Sequence, residues 1–285
     1  MNDKIVIISG PTASGKTAFA IDYALKNNGV IINADSRQIF KWLPILSAQP
    51  TDYEKKQVKH VLYDYLEPTD NISVGKWLEL AKIEIERCFA SNVLPIIVGG
   101  TGLYISKLID GMSPIPEIPD DLRAKTIALF ETMGYDEFRK KAEQIDFDFV
   151  SRLNANDKQR LMRVVEVYDL CGLTITELQK QPNRLMFPVK TFYHININPP
   201  KEKVYDNCKN RFEKMLEIGA LNEVREFKKY NVATNTIGYN ECLLYIEGVI
   251  TKKDLIENVT KITRKYAKRQ YTWFNHQFKN FDERI

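Results

Sequence analysis

Cysteine is scarce and scattered in this sequence. Cys88, Cys171, Cys208 and Cys242 are the only four, and they form no C-x-x-C pair. That spacing excludes both a disulfide framework and a thiolate zinc site, and it points to buried thiols in a reducing compartment. No apolar run approaches the roughly 18 residues that a membrane span needs. Asn2, Asp3 and Lys4 lead straight into a short strand-like run instead of a leader's hydrophobic region, so a soluble cytoplasmic protein with no membrane partner is expected. Internal repeats and low-complexity tracts are missing too. Charge of one sign is also lacking over most of the chain: up to Gly111, 12 Lys/Arg face 12 Asp/Glu, and the net charge of all 285 residues is only +4. The imbalance is local. From Lys261 onward, Lys261, Arg264, Lys265, Lys268, Arg269, Lys279 and Arg284 outnumber Asp282 and Glu283, which predicts a polyanionic partner for the C-terminal end.

Against these absences stands one strong motif. Gly10-Pro11-Thr12-Ala13-Ser14-Gly15-Lys16-Thr17 follows the apolar run Ile5-Val6-Ile7-Ile8-Ser9 and opens a helix-like stretch. It fits G-x-x-x-x-G-K-[ST] in the strand, turn and helix context that gives the pattern its meaning. Its glycines let the backbone curl so that N–H groups and the positive end of the helix cradle phosphate oxygens. Lys16 then reaches a terminal phosphate, and Thr17 offers its hydroxyl to a magnesium ion, Mg2+. The plain alternative is a glycine turn that merely joins strand to helix. A bound di- or triphosphate is the expectation.

Strand and helix patterns alternate through the first 112 residues. Val30–Ala34, His60–Leu66 and Pro95–Val98 read as strands, and Lys16–Asn27 and Val74–Ala90 as helices, the second capped by Ser73. This spacing predicts an α/β core with a parallel sheet, like that of P-loop-containing nucleoside triphosphate hydrolases. The magnesium-holding Asp that P-loop ATPases and GTPases carry at a hydrophobic strand end is missing: the best such strand runs into Val98-Gly99-Gly100. The only acid at a buried strand end is Asp35. It either caps the following segment or meets a second substrate, and the second reading points to group transfer.

The pattern changes at Ser113. Pro114, Pro116 and Pro119 mark an extended linker, and polar helical stretches continue to Pro188, with a long amphipathic helix expected over Arg152–Leu170. We take 113–188 as a helical insertion in a core formed by 1–112 and 189–285. Arg160 and Arg163 share a face of that helix, which on periodicity alone is most simply a solvated one. Beyond the insertion come a strand over Thr191–Ile197, helices over Lys201–Ile218, Leu221–Tyr230 and Glu241–Ile246, a turn at Thr236–Tyr239, and a final helix over Asp254–His276. On the last helix Arg264 and Lys268 share one face and Lys265 and Arg269 another, with Tyr266, Tyr271 and Trp273 between them. Such a helix suits a nucleic-acid backbone with unstacked bases, or else a core stripe rimmed by basic side chains.

Seven stretches taken together resemble one family, the tRNA dimethylallyltransferases (tRNA isopentenyltransferases) of bacterial type. They are GPTASGKT at Gly10–Thr17, DSRQIF at Asp35–Phe40, VGGTGLY at Val98–Tyr104, NDKQRLMR at Asn156–Arg163, RFEKMLEIGALNEV at Arg211–Val224, IGYNE at Ile237–Glu241 and TRKYAKRQYTW at Thr263–Trp273. The resemblance implies transfer of a dimethylallyl group from dimethylallyl diphosphate to the exocyclic N6 amine of the adenosine just 3′ of a tRNA anticodon, with magnesium assisting. It implies that Asp35 is the general base, and that Thr101 and Arg211 contact the pyrophosphate. It further implies RNA contacts from Asp35, Ser36, Arg37 and Gln38, from Thr101 and Arg123, and from Gln159, Arg160, Leu161, Met162 and Arg163. Asn235, Thr236, Ile237, Gly238, Tyr239 and Asn240 complete that set, and the basic pattern of the last helix adds Arg264, Lys268 and Arg269 as expected RNA contacts. The chemistry is coherent: a leaving pyrophosphate needs cations and N–H donors, an adenine amine must lose a proton, and a stacked base must be extruded to be reached. Phe40 and Asn240 depart from the family's usual Tyr and Lys/Arg, and no cysteine pair matches the zinc finger of eukaryotic relatives. A monomer acting on the anticodon stem-loop is expected. The rivals are a P-loop nucleoside or nucleotide kinase, an adenylate prenyltransferase acting on free nucleotides, and a non-catalytic RNA-binding module.

Overall fold

Residues 4–278 and 281–285 are described by the computed structural model, so Lys279 of the basic C-terminal run lies outside the described residues, as do Asn2 and Asp3. The chain opens with β1 (Ile5–Ser9), all five residues buried, and turns through the glycine loop into α1 (Lys16–Asn27). There follow β2 (Gly29–Asn33), α2 (Asp52–Gln57), β3 (His60–Val61), α3 (Val74–Ala90), β4 (Leu94–Gly99) and α4 (Gly102–Asp110). A helical stretch comes next: α5 (Asp120–Ile145), α6 (Phe147–Val150), α7 (Lys158–Cys171) and α8 (Ile175–Lys180). The chain then forms β5 (Phe192–Asn196), α9 (Lys201–Glu217), α10 (Ala220–Lys228), α11 (Tyr239–Ile246), α12 (Lys252–Gln277) and β6 (Glu283–Arg284).

The strands form one sheet in the order β3-β2-β4-β1-β5-β6, and every pairing is parallel. Runs such as Ile5-Val6-Ile7-Ile8 and Ile96-Ile97-Val98 are apolar on both faces because helices cover both sides of a parallel sheet. With β1 flanked by β4 and β5, the loops after β1, β2 and β4 converge at one edge, where such sheets bind ligands. On one face, Ala20, Ile21 and Ala24 of α1 pack on Val6, Ile8, Ile31, Ile96 and Ile195. No helix among the described residues is long and apolar enough to cross a membrane.

Contacts divide the chain into two compact units. One comprises Met1–Ile109 and Phe187–Ile285 and contains the sheet; the other is Asp110–Met186 and is helical. The helical unit has its own core of Phe138, Ala142, Val150, Leu161, Val164 and Val165. Its α5 is interrupted at Gly134, where φ of 74° takes the backbone out of the helix.

Two expected elements differ. The apolar run 60–66 is not one strand, because β3 stops after Val61. Leu62 and Asp64 adopt left-handed φ of 61° and 51°, and the Leu62 carbonyl turns to accept from Asn33 Nδ2 at 2.9 Å. The helix expected from Arg152 begins at Lys158, where Asp157 caps it by accepting from the Arg160 amide at 3.3 Å. Residues 152–157 form turns between α6 and this helix instead.

One buried polar cluster fastens β6 and its neighbours to the sheet. His194 Nε2 lies 2.7 Å from Ser9 Oγ, Asn196 Nδ2 donates to the same oxygen at 2.9 Å, and the His194 amide donates to Asp282 at 2.6 Å. The rings of Phe278 and Phe281 close over the imidazole at 4.9 and 4.8 Å. Burial pushes the imidazole down to about 4 from its ordinary 6.5, with Asp282 opposing the shift. The folded state therefore favours neutral His194, while the unfolded chain takes up a proton near 6.5. Its contribution is whole above that pH and is lost as pH falls toward 4, by about 3 kcal/mol. Urea unfolding between pH 7 and 4.5 is expected to show this loss, and His194→Gln to lack it. Equal slopes in the two proteins would show that the cluster does not titrate.

Candidate active site

The loop after β1 is built to receive an anion. Gly10 has φ of 146°, and a Cβ there would stand 2.2 Å from the Ile197 carbonyl oxygen, so only glycine lets the chain leave β1 this close to the end of β5. Ala13 and Gly15 follow at φ of 61° and 92°, turning the loop into a cup. At the start of α1, Gly15 offers no side-chain cap and the first turn has no acid, which leaves its N–H groups and positive end uncompensated. Ser14 Oγ is buried with no hydrogen-bond partner among the described residues.

Two cations are recessed here. Lys16 Nζ donates to the Pro11 carbonyl at 2.6 Å, and desolvation lowers its ammonium to about 8, with Asp35 raising it and Arg211 lowering it further. Arg211 reaches in from α9, donates to Thr12 Oγ1 at 2.9 Å, and is itself pushed down by desolvation. Asn207, one turn earlier on α9, donates to the Ala13 carbonyl at 3.0 Å, so one face of that helix carries both the loop's brace and its second cation.

Asp35 leaves the end of β2 beside this cup. Its amide donates to Asn33 Oδ1 at 2.8 Å, its carbonyl accepts from Asn33 Nδ2 at 3.0 Å, and Oδ1 accepts from the Arg37 amide at 2.9 Å. Asn33 is fully buried and also fixes the Leu62 carbonyl. The Trp77 indole donates to the Asn33 carbonyl at 2.9 Å and stacks on Tyr104 at 4.5 Å, so the acid rests on a rigid floor. The carboxylate raises the hydroxyl pKa values of Tyr63, Tyr104 and Tyr266, in each case after burial as the larger cause. Thr101 Oγ1 accepts from the Ser36 amide at 2.9 Å and lies 3.3 Å from Ser36 Oγ, tying the Gly99-Gly100 turn to the residue after Asp35. Gln38 spends its amide nitrogen on the Ser47 and Ala48 carbonyls at 3.0 and 2.7 Å, and Arg37 is exposed.

Magnesium takes oxygen ligands and keeps much of its own water. The threonine hydroxyl at position 17 and the Ser14 hydroxyl are oxygen donors of the kind such an ion takes beside phosphate oxygens and water. The donor set fits such an ion.

Two grooves flank α12. One, of about 640 Å³, is lined by Tyr205, Lys209, Thr260, Lys261, Arg264 and Lys268 among others; the second, of about 700 Å³, is lined by Lys265, Lys268, Arg269, Trp273 and His276 among others. Lys268 and Arg269 are exposed, whereas Arg264 is part-buried and donates to the Tyr205 carbonyl at 3.2 Å. Thr263, Ala267, Gln270, Tyr271 and Phe274 form the helix's buried stripe. The helix therefore has a buried side that includes Tyr271 and Phe274 and an outer face that carries Lys268 and Arg269. Asn235 and Asn240 are exposed at the turn, while Gly238 and Tyr239 are buried, Tyr239 within the core around α10 and α11. In the helical unit, Gln159 and Arg160 are exposed, and Arg123 and Arg163 flank the buried Glu166 at 3.7 and 3.9 Å. Leu161 is 1% exposed, so its side chain seats the helix and only its neighbours face outward. Sequence reasoning passed over Asn33, which holds the backbone of Asp35 and Leu62, and Asn207 and Gln270, whose partners are backbone groups far away in the chain.

Known proteins resemble this chain along nearly its whole length. The family model described as IPP transferase matches residues 38–277, a range that begins after the glycine loop and Asp35. A tRNA dimethylallyltransferase of Ehrlichia canis is 40% identical over 287 aligned residues, covering 98% of this chain and 93% of the relative. One from Rickettsia canadensis is 36% identical, covering 97% and 87%. Among solved structures, a eukaryotic dimethylallyltransferase captured acting on tRNA superposes with a TM-score of 0.84 at 26% identity, covering 95% of this chain and 69% of that one. The tRNA isopentenylpyrophosphate transferase of Bacillus halodurans gives 0.68 at 28% identity, covering 99% and 89%. With the family match spanning most of the chain and relatives aligned nearly end to end, this chain belongs to the IPP transferase family.

Proposed function

We propose that this protein transfers a dimethylallyl group from dimethylallyl diphosphate to the N6 amine of the adenosine immediately 3′ of a tRNA anticodon, releasing diphosphate. One observation carries this reading. Two desolvated cations, Lys16 and Arg211, converge on a cup of N–H donors, and the carboxylate whose charge reaches both is Asp35. A site with that surplus of positive charge suits a leaving group that arrives and departs as an anion. The adjoining acid suits a proton that must be removed.

The roles follow from position. The loop amides from Ala13 to Thr17, Lys16 and Arg211 hold the diphosphate and take up the charge that grows as the allylic C–O bond lengthens. Thr17, with Ser14 near by, would hold a magnesium ion, which supplies further positive charge to the diphosphate oxygens. Asp35 accepts the proton that the amine loses as its nitrogen bonds to the allylic carbon. Thr101 and Ser36 fix the turn that aims Asp35. The target base has to be unstacked to reach this depth. Lys268, Arg269 and the exposed residues of the 235–240 turn serve the RNA backbone, and Arg160, Gln159 and Arg123 do so from the helical unit. We take the protein to act as a monomer in the cytoplasm.

Mass spectrometry of nucleosides tests the reading. After incubation with dimethylallyl diphosphate and unmodified tRNA, the expected product is an adenosine heavier by one C5H8 unit. Prenylation of free AMP in preference to tRNA, or phosphorylation of nucleosides by ATP, would overturn it.

A further inference from the structure

We infer that Gln270 is a positioning residue that couples RNA docking on α12 to the diphosphate cup. This inference rests on the function proposed above and goes beyond it in assigning a side chain that touches neither substrate. Gln270 is 5% exposed and sits on the inner stripe of α12. Its Oε1 accepts from the Thr12 amide at 2.7 Å, and its Nε2 donates to the Gly100 carbonyl at 2.9 Å. One planar amide therefore joins two loops that are remote in sequence.

Each arm leads to a different half of the chemistry. Thr12 is the residue whose hydroxyl accepts from Arg211, so the first arm sets the loop and, through it, the second cation. Gly100 precedes Thr101, which holds Ser36 next to Asp35, so the second arm sets the acid. The fit is close: a Cβ at Gly100 would stand 2.2 Å from Nε2, so the turn must be glycine for the glutamine to reach its carbonyl. One turn further along α12, Trp273 occupies the space a Cβ on Gly102 would need, with ring atoms 2.0 and 2.1 Å from that point. Directly before Gln270, on the outer face, stand the exposed Lys268 and Arg269. A helix seized by RNA on its outer face thus grips both reacting half-sites from its inner face. Small shifts of a packed helix are an established way to link two sites.

The test measures inorganic pyrophosphate and an anticodon stem-loop RNA, each alone and together, on the whole protein. In the wild type each ligand should tighten the other by at least ~5-fold, the low end of ordinary coupling. Gln270→Met keeps the volume but neither hydrogen bond. It should bind RNA alone within about twofold of wild type, show coupling near unity, and lower kcat with little change in KM for RNA. Gln270→Glu gives a second readout. Its carboxylic acid can donate to the Gly100 carbonyl only when protonated, so coupling should return as pH falls, a profile the wild type lacks. Coupling that persists in Gln270→Met, or is missing in the wild type, overturns the inference. A wild type that binds no pyrophosphate at all overturns the reading of the cup instead.

Discussion

Asp35→Asn is expected to slow turnover by ~10²–10⁴-fold, the range for removing a general base, while tRNA affinity stays at the wild-type value. Asparagine is the informative replacement. Its side-chain oxygen can still accept from the Arg37 amide, and the Asn33 clamp acts on the backbone of residue 35, so the turn keeps its shape. What disappears is the basic oxygen and its negative charge. That charge stabilises the Lys16 ammonium and the Arg211 guanidinium, and it opposes any anion placed beside it. The variant should therefore bind inorganic pyrophosphate at least as tightly as the wild type while failing to make product. Single-turnover rates with calorimetric pyrophosphate titration separate the two effects. A rate equal to wild type would remove Asp35 from proton transfer, and a parallel loss of pyrophosphate affinity would mean that the acid only shapes the loop.

The sequence reveals local features and conceals those made across the chain. The glycine loop is legible because its requirements are local: a buried strand, residues tolerating positive φ at Gly10 and Gly15, and a lysine one residue into the helix. The helices with side-chain caps, such as α3 after Ser73, are legible for the same reason. Asp35 is visible as an acid at a strand end, but nothing in its neighbourhood of the sequence says that Asn33 clamps it from two residues away. The false strand over 60–66 has a physical cause. Alternating apolar residues report burial, yet the backbone turns left-handed at Leu62 to satisfy the Asn33 amide, and periodicity carries no information on φ. Gln270 is the clearest gap. Its partners lie 258 and 170 residues away, and on the sequence it is one polar residue inside a basic run. Its place in the stripe Thr263, Ala267, Gln270, Phe274 was the available signal, a polar side chain at a buried helical position.

Lys16→Met is expected to move stability and function in opposite directions. Desolvation holds the Lys16 ammonium down to about 8, so the folded chain spends free energy to keep it charged at neutral pH. Removing the charge should stabilise the ligand-free protein by on the order of 1–2 kcal/mol, allowing for partial solvent access. On its proposed role the same change removes a cation that meets the leaving diphosphate and should lower kcat by ~10²–10³-fold, as for loss of one preorganised donor. The sign of the pH effect follows from linkage. The folded pKa lies below that of the unfolded chain, so the unfolded state holds the extra proton between about 8 and 10.5, and wild-type stability rises with pH across that window. A bound anion favours the ammonium. The part of pyrophosphate affinity that Lys16 supplies should accordingly be constant below pH 8, weaken by up to about tenfold per unit above it, and be accompanied by proton uptake beyond the ligand's own ionisation. In Lys16→Met both this slope and this further proton uptake should vanish, which calorimetry in buffers of different ionisation enthalpy reads directly. Were the slope to persist without the lysine, the titrating group would lie elsewhere and the ammonium would not be the one that meets the phosphate.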